Sequence, residues 1–87
     1  MKEYKIDFDL FTTEEIVKIF SFFALIESSQ KRKIPAPTLI KRYQEYQAIV
    51  NNKALEKQYD KMLQSLSNVS IYETIKQAKG KLSNATR

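Results

Sequence analysis

Neither cysteine nor histidine occurs among the 87 residues. The first absence excludes a disulfide framework, a thiolate nucleophile and any cysteine metal site, and it suits a reducing cytoplasm. The second removes the commonest general base and the commonest metal ligand, so catalysis would have to come from carboxylates, lysines, tyrosines and hydroxyls. Long apolar runs are missing too. The longest uninterrupted stretch, residues 22–26, is far too short to cross a bilayer, and the mixed, acidic start lacks the basic and apolar regions of a signal peptide. The expectation is a cytoplasmic, non-enzymatic protein, neither secreted nor membrane-bound, with no catalytic, cofactor-binding or metal-ligating set.

What is present is charge, unevenly spread. The net charge is +5, yet residues 1–30 hold three basic and six acidic side chains, whereas residues 31–87 hold twelve basic and four acidic. Such polarity steers an acidic protein or a polyanion, though it speaks to encounter rate before affinity. A chain of this length forms one domain and buries about two-thirds of its unfolded surface, which leaves stability modest.

The hydrophobic pattern reads as all-α. Residues 1–11 form an extended arm, because Tyr4, Ile6, Phe8 and Leu10 alternate with Lys5, Asp7 and Asp9, and no second strand-like segment exists to pair with them. Thr12 is then an N-cap, and Glu15 completes a capping box. Nine of the eleven residues from Ile16 to Ile26 are apolar, so this first helix asks for burial around most of its circumference. It should fade near Arg32, ahead of Pro35 and Pro37.

A second helix carries Leu39, Ile40, Tyr43, Tyr46, Ile49 and Val50 at three-and-four spacing, and Asn51-Asn52 breaks it. A third, about residues 53–66, sets Leu55, Tyr59, Met62, Leu63 and Leu66 against Lys53, Lys57 and Lys61. Asn68 can close it in the left-handed conformation. Ser70 and Glu73 make a second capping box, opening a short C-terminal helix that ends near Gly80 and leaves 81–87 as a flexible tail. The compact array thus has three longer helices and one short one.

Several of these segments together resemble the YktA-like small bacterial proteins of Gram-positive bacteria, uncharacterised protein family 0223. The resemblance runs from Tyr4 to Lys79. It is carried by Thr13-Glu14-Glu15-Ile16, Phe22-Phe23, Ile26-Glu27, Tyr43-Gln44-Glu45-Tyr46-Gln47-Ala48-Ile49-Val50, Lys53-Ala54-Leu55-Glu56-Lys57-Gln58 and Ser70-Ile71-Tyr72-Glu73-Thr74-Ile75-Lys76. Family members often show glycine near Lys33 and Asn68, tryptophan near Phe11 and proline near Asn51, so this chain departs there. The resemblance implies an all-helical fold and carries no activity or catalytic residues with it.

Four candidate features remain. Asp7, Asp9, Glu14 and Glu15 suggest an oxygen-ligand set, but solvation and favourable contact with a helix N-terminus explain them without a cation. Phe20, Phe22, Phe23, Leu25 and Ile26 diverge too widely around the first helix for a single partner helix, which points to a homodimer interface. Lys53, Lys57, Lys61, Lys76 and Lys79 form a candidate basic surface, which Lys31-Arg32-Lys33 and Lys41-Arg42 extend. Tyr43, Tyr46, Tyr59 and Tyr72 suit the rim of a small core, or base stacking if exposed beside the lysines. The expected function is a protein-protein interaction module, with a nucleic-acid or ribosome-associated protein as the alternative.

Overall fold

A computed structural model describes Ile6 and residues 8–85, with side chains through Lys81 apart from Phe8. Four α-helices follow a 3-10 turn at Phe8–Leu10: α1 is Thr13–Ser28, α2 Ala36–Val50, α3 Lys53–Ser67 and α4 Ile71–Ala85. Among the described residues there is no strand, and no helix is long and apolar enough to cross a membrane. The expected all-helical array is therefore what forms.

Helix starts follow the expected chemistry. The Thr12 hydroxyl accepts from the Glu15 N–H at 3.2 Å, and the Glu15 carboxylate accepts from the Thr12 N–H at 2.9 Å, closing the capping box of α1. Asn52 accepts from the Leu55 N–H at 3.1 Å to start α3, and Ser70 accepts from the Glu73 N–H at 3.2 Å to start α4. Asn51 and Asn68 end α2 and α3 in the left-handed region, with φ of 46° and 56°. Asparagine tolerates that conformation better than other residues with a Cβ.

The core is aromatic at its centre. Ile19, Phe22, Phe23 and Ile26 of α1 meet Leu39, Tyr46 and Val50 of α2, Tyr59 and Leu63 of α3, and Ile71, Ile75 and Ala78 of α4. Phe22 stacks on Tyr46 with ring centroids 4.7 Å apart, and Phe23 meets Tyr46 and Tyr59 edge-on at 5.9 Å each. Such pairs add about 0.5–1.5 kcal/mol apiece beyond their buried area. α2 packs most extensively on α4 and next on α1.

Three boundaries differ from expectation. Ile6 is buried as the alternation requires, but the turn at Phe8–Leu10 breaks the period of two, and Leu10 stands 58 % exposed. Tyr4 and Asp7 lie outside the described residues. α1 stops at Ser28, short of Arg32, and tighter turns carry the chain on, with the Gln30 and Lys31 N–H groups donating to the Glu27 and Ser28 carbonyls at 3.3 and 2.9 Å. α4 is as long as α3, because Gly80 is not left-handed and does not cap it; helical backbone continues to Ala85. The local penalty of glycine, about 1 kcal/mol, is offset by the contacts that Ile75 and Ala78 make with the core.

Candidate functional site: a tyrosine and lysine groove

The α2–α3 connection is only Asn51-Asn52, and left-handed Asn51 folds α3 back beside α2. Asp60 then ties α3 to the start of α4, its Oδ1 accepting from the Ile71 N–H at 2.8 Å. A carboxylate at that helix N-terminus is favourable for the dipole as well as for the orphan donor. The same bond sets Tyr72, the next residue, beside α2 and α3.

Two concavities result. One, about 130 Å3, lies among Tyr43 and Tyr46 of α2, Lys53, Glu56, Lys57 and Asp60 of α3, and Ile71 and Tyr72 of α4. The other, about 190 Å3, is lined by Tyr43, Tyr72, Ile75, Lys76 and Lys79. Tyr43 and Tyr72 are common to both, so the two form one groove divided by a tyrosine pair. Tyr72 is 62 % exposed and Tyr43 half-buried. Lys79 Nζ sits 5.9 Å from the Tyr43 ring centroid, within reach of a cation–π contact.

Of the five lysines selected from sequence, Lys53, Lys57, Lys76 and Lys79 border this groove, whereas Lys61 is exposed and borders neither half. Spacing explains the selection: Lys53 and Lys57 are one helical turn apart on α3, as are Tyr72 and Lys76 on α4. A further cavity holds Arg32, Lys33 and Lys81 with Leu39 and Ala78 but has no aromatic wall. Another, lined by Lys18, Arg42, Phe22 and Tyr46, also sets cations beside aromatic residues, but both of its rings are buried. An exposed tyrosine ring beside lysines is thus particular to the α2–α3–α4 groove among these cavities.

The acidic side chains of the groove are held in place. Gln47 Nε2 donates to the Tyr43 hydroxyl at 3.0 Å and to Glu56 Oε1 at 3.4 Å. Burial first, and then the Glu56 and Asp60 carboxylates, raises the Tyr43 pKa. The Tyr46 hydroxyl is pushed well above the ordinary phenol range, chiefly by burial, then by Glu56, Tyr59, Asp60 and Tyr43. Tyr46 is 2 % exposed, and its hydroxyl has no hydrogen-bond partner among the described residues. Both phenols are neutral at physiological pH, so they serve as ring surfaces and hydrogen-bonding hydroxyls, not as bases.

The other sequence candidates are dispersed differently. Phe22, Phe23 and Ile26 are fully covered by the chain's own helices, while Phe20 and Leu25 are half-buried. The cover that the α1 aromatics demanded from a second copy is supplied for three of the five within the chain. Val17, which the interface set omitted, is 56 % exposed on the opposite side of α1. Glu15 is engaged in its capping box and Glu14 lies in the first turn beside it. Among the described residues no three metal-ligating side chains gather. Tyr46 and Tyr59 are core and Tyr72 is surface, so the tyrosines divide.

Comparison with known proteins bears out the family resemblance read from the sequence. The sequence pattern of the Uncharacterised protein family (UPF0223) matches residues 2–86. The chain belongs to that family. A UPF0223 protein of Streptococcus mutans is 38 % identical over 81 residues, covering 92 % of this chain and 88 % of the relative. One from Bacillus cytotoxicus is 35 % identical over 77 residues, covering 88 % and 85 %. A third, from Streptococcus sanguinis, is 32 % identical over 81 residues, covering 92 % and 88 %. No solved structure matches this UPF0223 chain.

Proposed function

We propose that this chain is a non-enzymatic cytoplasmic binding module that takes single-stranded nucleic acid into the α2–α3–α4 groove. The observation that carries the reading is the division of one lysine-rimmed groove by Tyr43 and Tyr72. Single strands are held by aromatic rings that stack on bases and by cations that follow the phosphates, and this groove supplies both. An acidic segment of another protein would use the lysines alone. It would leave the exposed Tyr72 ring without a flat partner, which is why nucleic acid is preferred to the protein partner expected from sequence. A homodimer through α1 plays no part in this reading.

Salt dependence tests it. Four phosphate contacts give a slope of log affinity on log salt of roughly −3 for a single-stranded ligand. Lys57→Glu should weaken octanucleotide binding and make that slope shallower by about 1. Absence of binding at low salt, or displacement of the oligonucleotide by polyglutamate at equal charge, would remove the nucleic-acid reading.

A further inference from the structure

The smaller half of the groove contains a feature that phosphate binding alone does not use, and its interpretation rests on the nucleic-acid reading above. Glu56 and Asp60 line it together with Lys53 and Lys57. In a groove built only for phosphate, two carboxylates oppose the ligand. Both are half-buried and positioned by hydrogen bonds, Glu56 through Gln47 and Asp60 through the Ile71 N–H. A carboxylate has about four acceptor sites, so each keeps capacity for a further donor.

Size narrows the ligand. The cavity measures about 130 Å3, near the ~150 Å3 that holds one benzene. It accommodates a single six-membered ring and is well below the roughly 300 Å3 at which sites for larger small molecules begin. Its tyrosine walls suit a flat ring, and a carboxylate within it suits an exocyclic amino group on that ring, as glutamate accepts from cytosine N4.

We propose that this cavity is a cytosine-selective base site. The base lies against Tyr43 and Tyr72, its N4 amino group donates to Glu56, and the flanking phosphates meet Lys53 and Lys57. Uracil presents a carbonyl oxygen at the same ring position, so acceptor would face acceptor. Asp60 acts as a positioning residue: it is bound to the start of α4 and holds Tyr72 in place.

The test is fluorescence anisotropy of the full chain with labelled octacytidylate and octauridylate, near neutral pH and at low salt. The site predicts about tenfold tighter binding of octacytidylate, the scale of one good base contact. In Glu56→Gln the ratio should fall to about one, because the amide both accepts from an amino group and donates to a carbonyl. Thermal melting verifies that this variant is folded, and the wild-type ratio tests the site without any variant. Equal, salt-sensitive binding of both oligonucleotides would overturn the base site and leave the groove reading intact. A preference that survives in folded Glu56→Gln would overturn the role of Glu56. Binding of neither would overturn both the site and the groove reading.

Discussion

Two aromatic regions of this small protein meet opposite fates. On α1, Phe22 and Phe23 are 2 % and 0 % exposed and sit among Ile19 and Ile26, the residues one turn away on the same helix. On α4, Tyr72 is 62 % exposed, with Lys76 one turn on and Lys79 beyond it. Helical spacing is the same in both places. What separates them is direction around the helix: Phe22 and Phe23 lie on the side of α1 that the other helices cover, whereas Tyr72 lies on the flank of α4 that Lys76 and Lys79 share, away from the core side of Ile71, Ile75 and Ala78. Tyr46 falls between, a core ring with a polar tip and with the groove on one side.

The contrast can be broken most forcibly from the α1 side. Phe22→Ala removes a ring stacked on Tyr46 and should cost about 3–5 kcal/mol, a large share of the roughly 5–15 kcal/mol expected of a whole domain. Urea titration should show a much lower midpoint or no cooperative transition.

A smaller effect distinguishes the buried tyrosine. Its folded pKa is raised above the unfolded value near 10. Stability from Tyr46 is therefore fully present below that pH and is lost as the unfolded chain ionises above it, by about 1.4 kcal/mol per pH unit for one group. Tyr46→Phe should flatten the alkaline fall in melting temperature without lowering stability at neutral pH, since the lost hydroxyl has no partner to leave behind. Tyr43, shifted the same way, keeps part of the slope.

The smallest predicted change lies away from both regions. Gly80→Ala should stabilise the chain by about 0.5–1 kcal/mol, because the residue is helical and an added Cβ meets nothing within 4 Å. No change in midpoint on urea titration would argue against a helical Gly80.

Where a signal was local, the sequence carried it. Thr12 with Glu15, Ser70 with Glu73, and Asn68 in the left-handed region are each decided within three residues, by backbone donors that need acceptors. The groove depends on pairs that no window contains. Asp60 caps a helix that starts eleven residues later, and the Ser67 hydroxyl donates to Glu27 across forty. Tyr43 and Tyr72, 29 positions apart, become neighbours only because Asn51 and Asp60 set the courses of α3 and α4. Four of the five lysines picked out by spacing border the groove, whereas Glu56 and Asp60, which line it beside them, carry no local signal of their own. Gly80 misled in the other direction, since a helix-ending residue type was placed in a helix interior by tertiary contact.

The central claim is that Tyr72 is exposed in order to stack on a ligand. Its most direct test compares wild type and Tyr72→Ala for octacytidylate affinity and for thermal melting in the same buffer. Loss of one stacked base should weaken binding by about 1–3 kcal/mol, on the order of tenfold or more. The melting temperature should scarcely move, because the ring is mostly outside the core. Unchanged affinity in the folded variant would contradict the account.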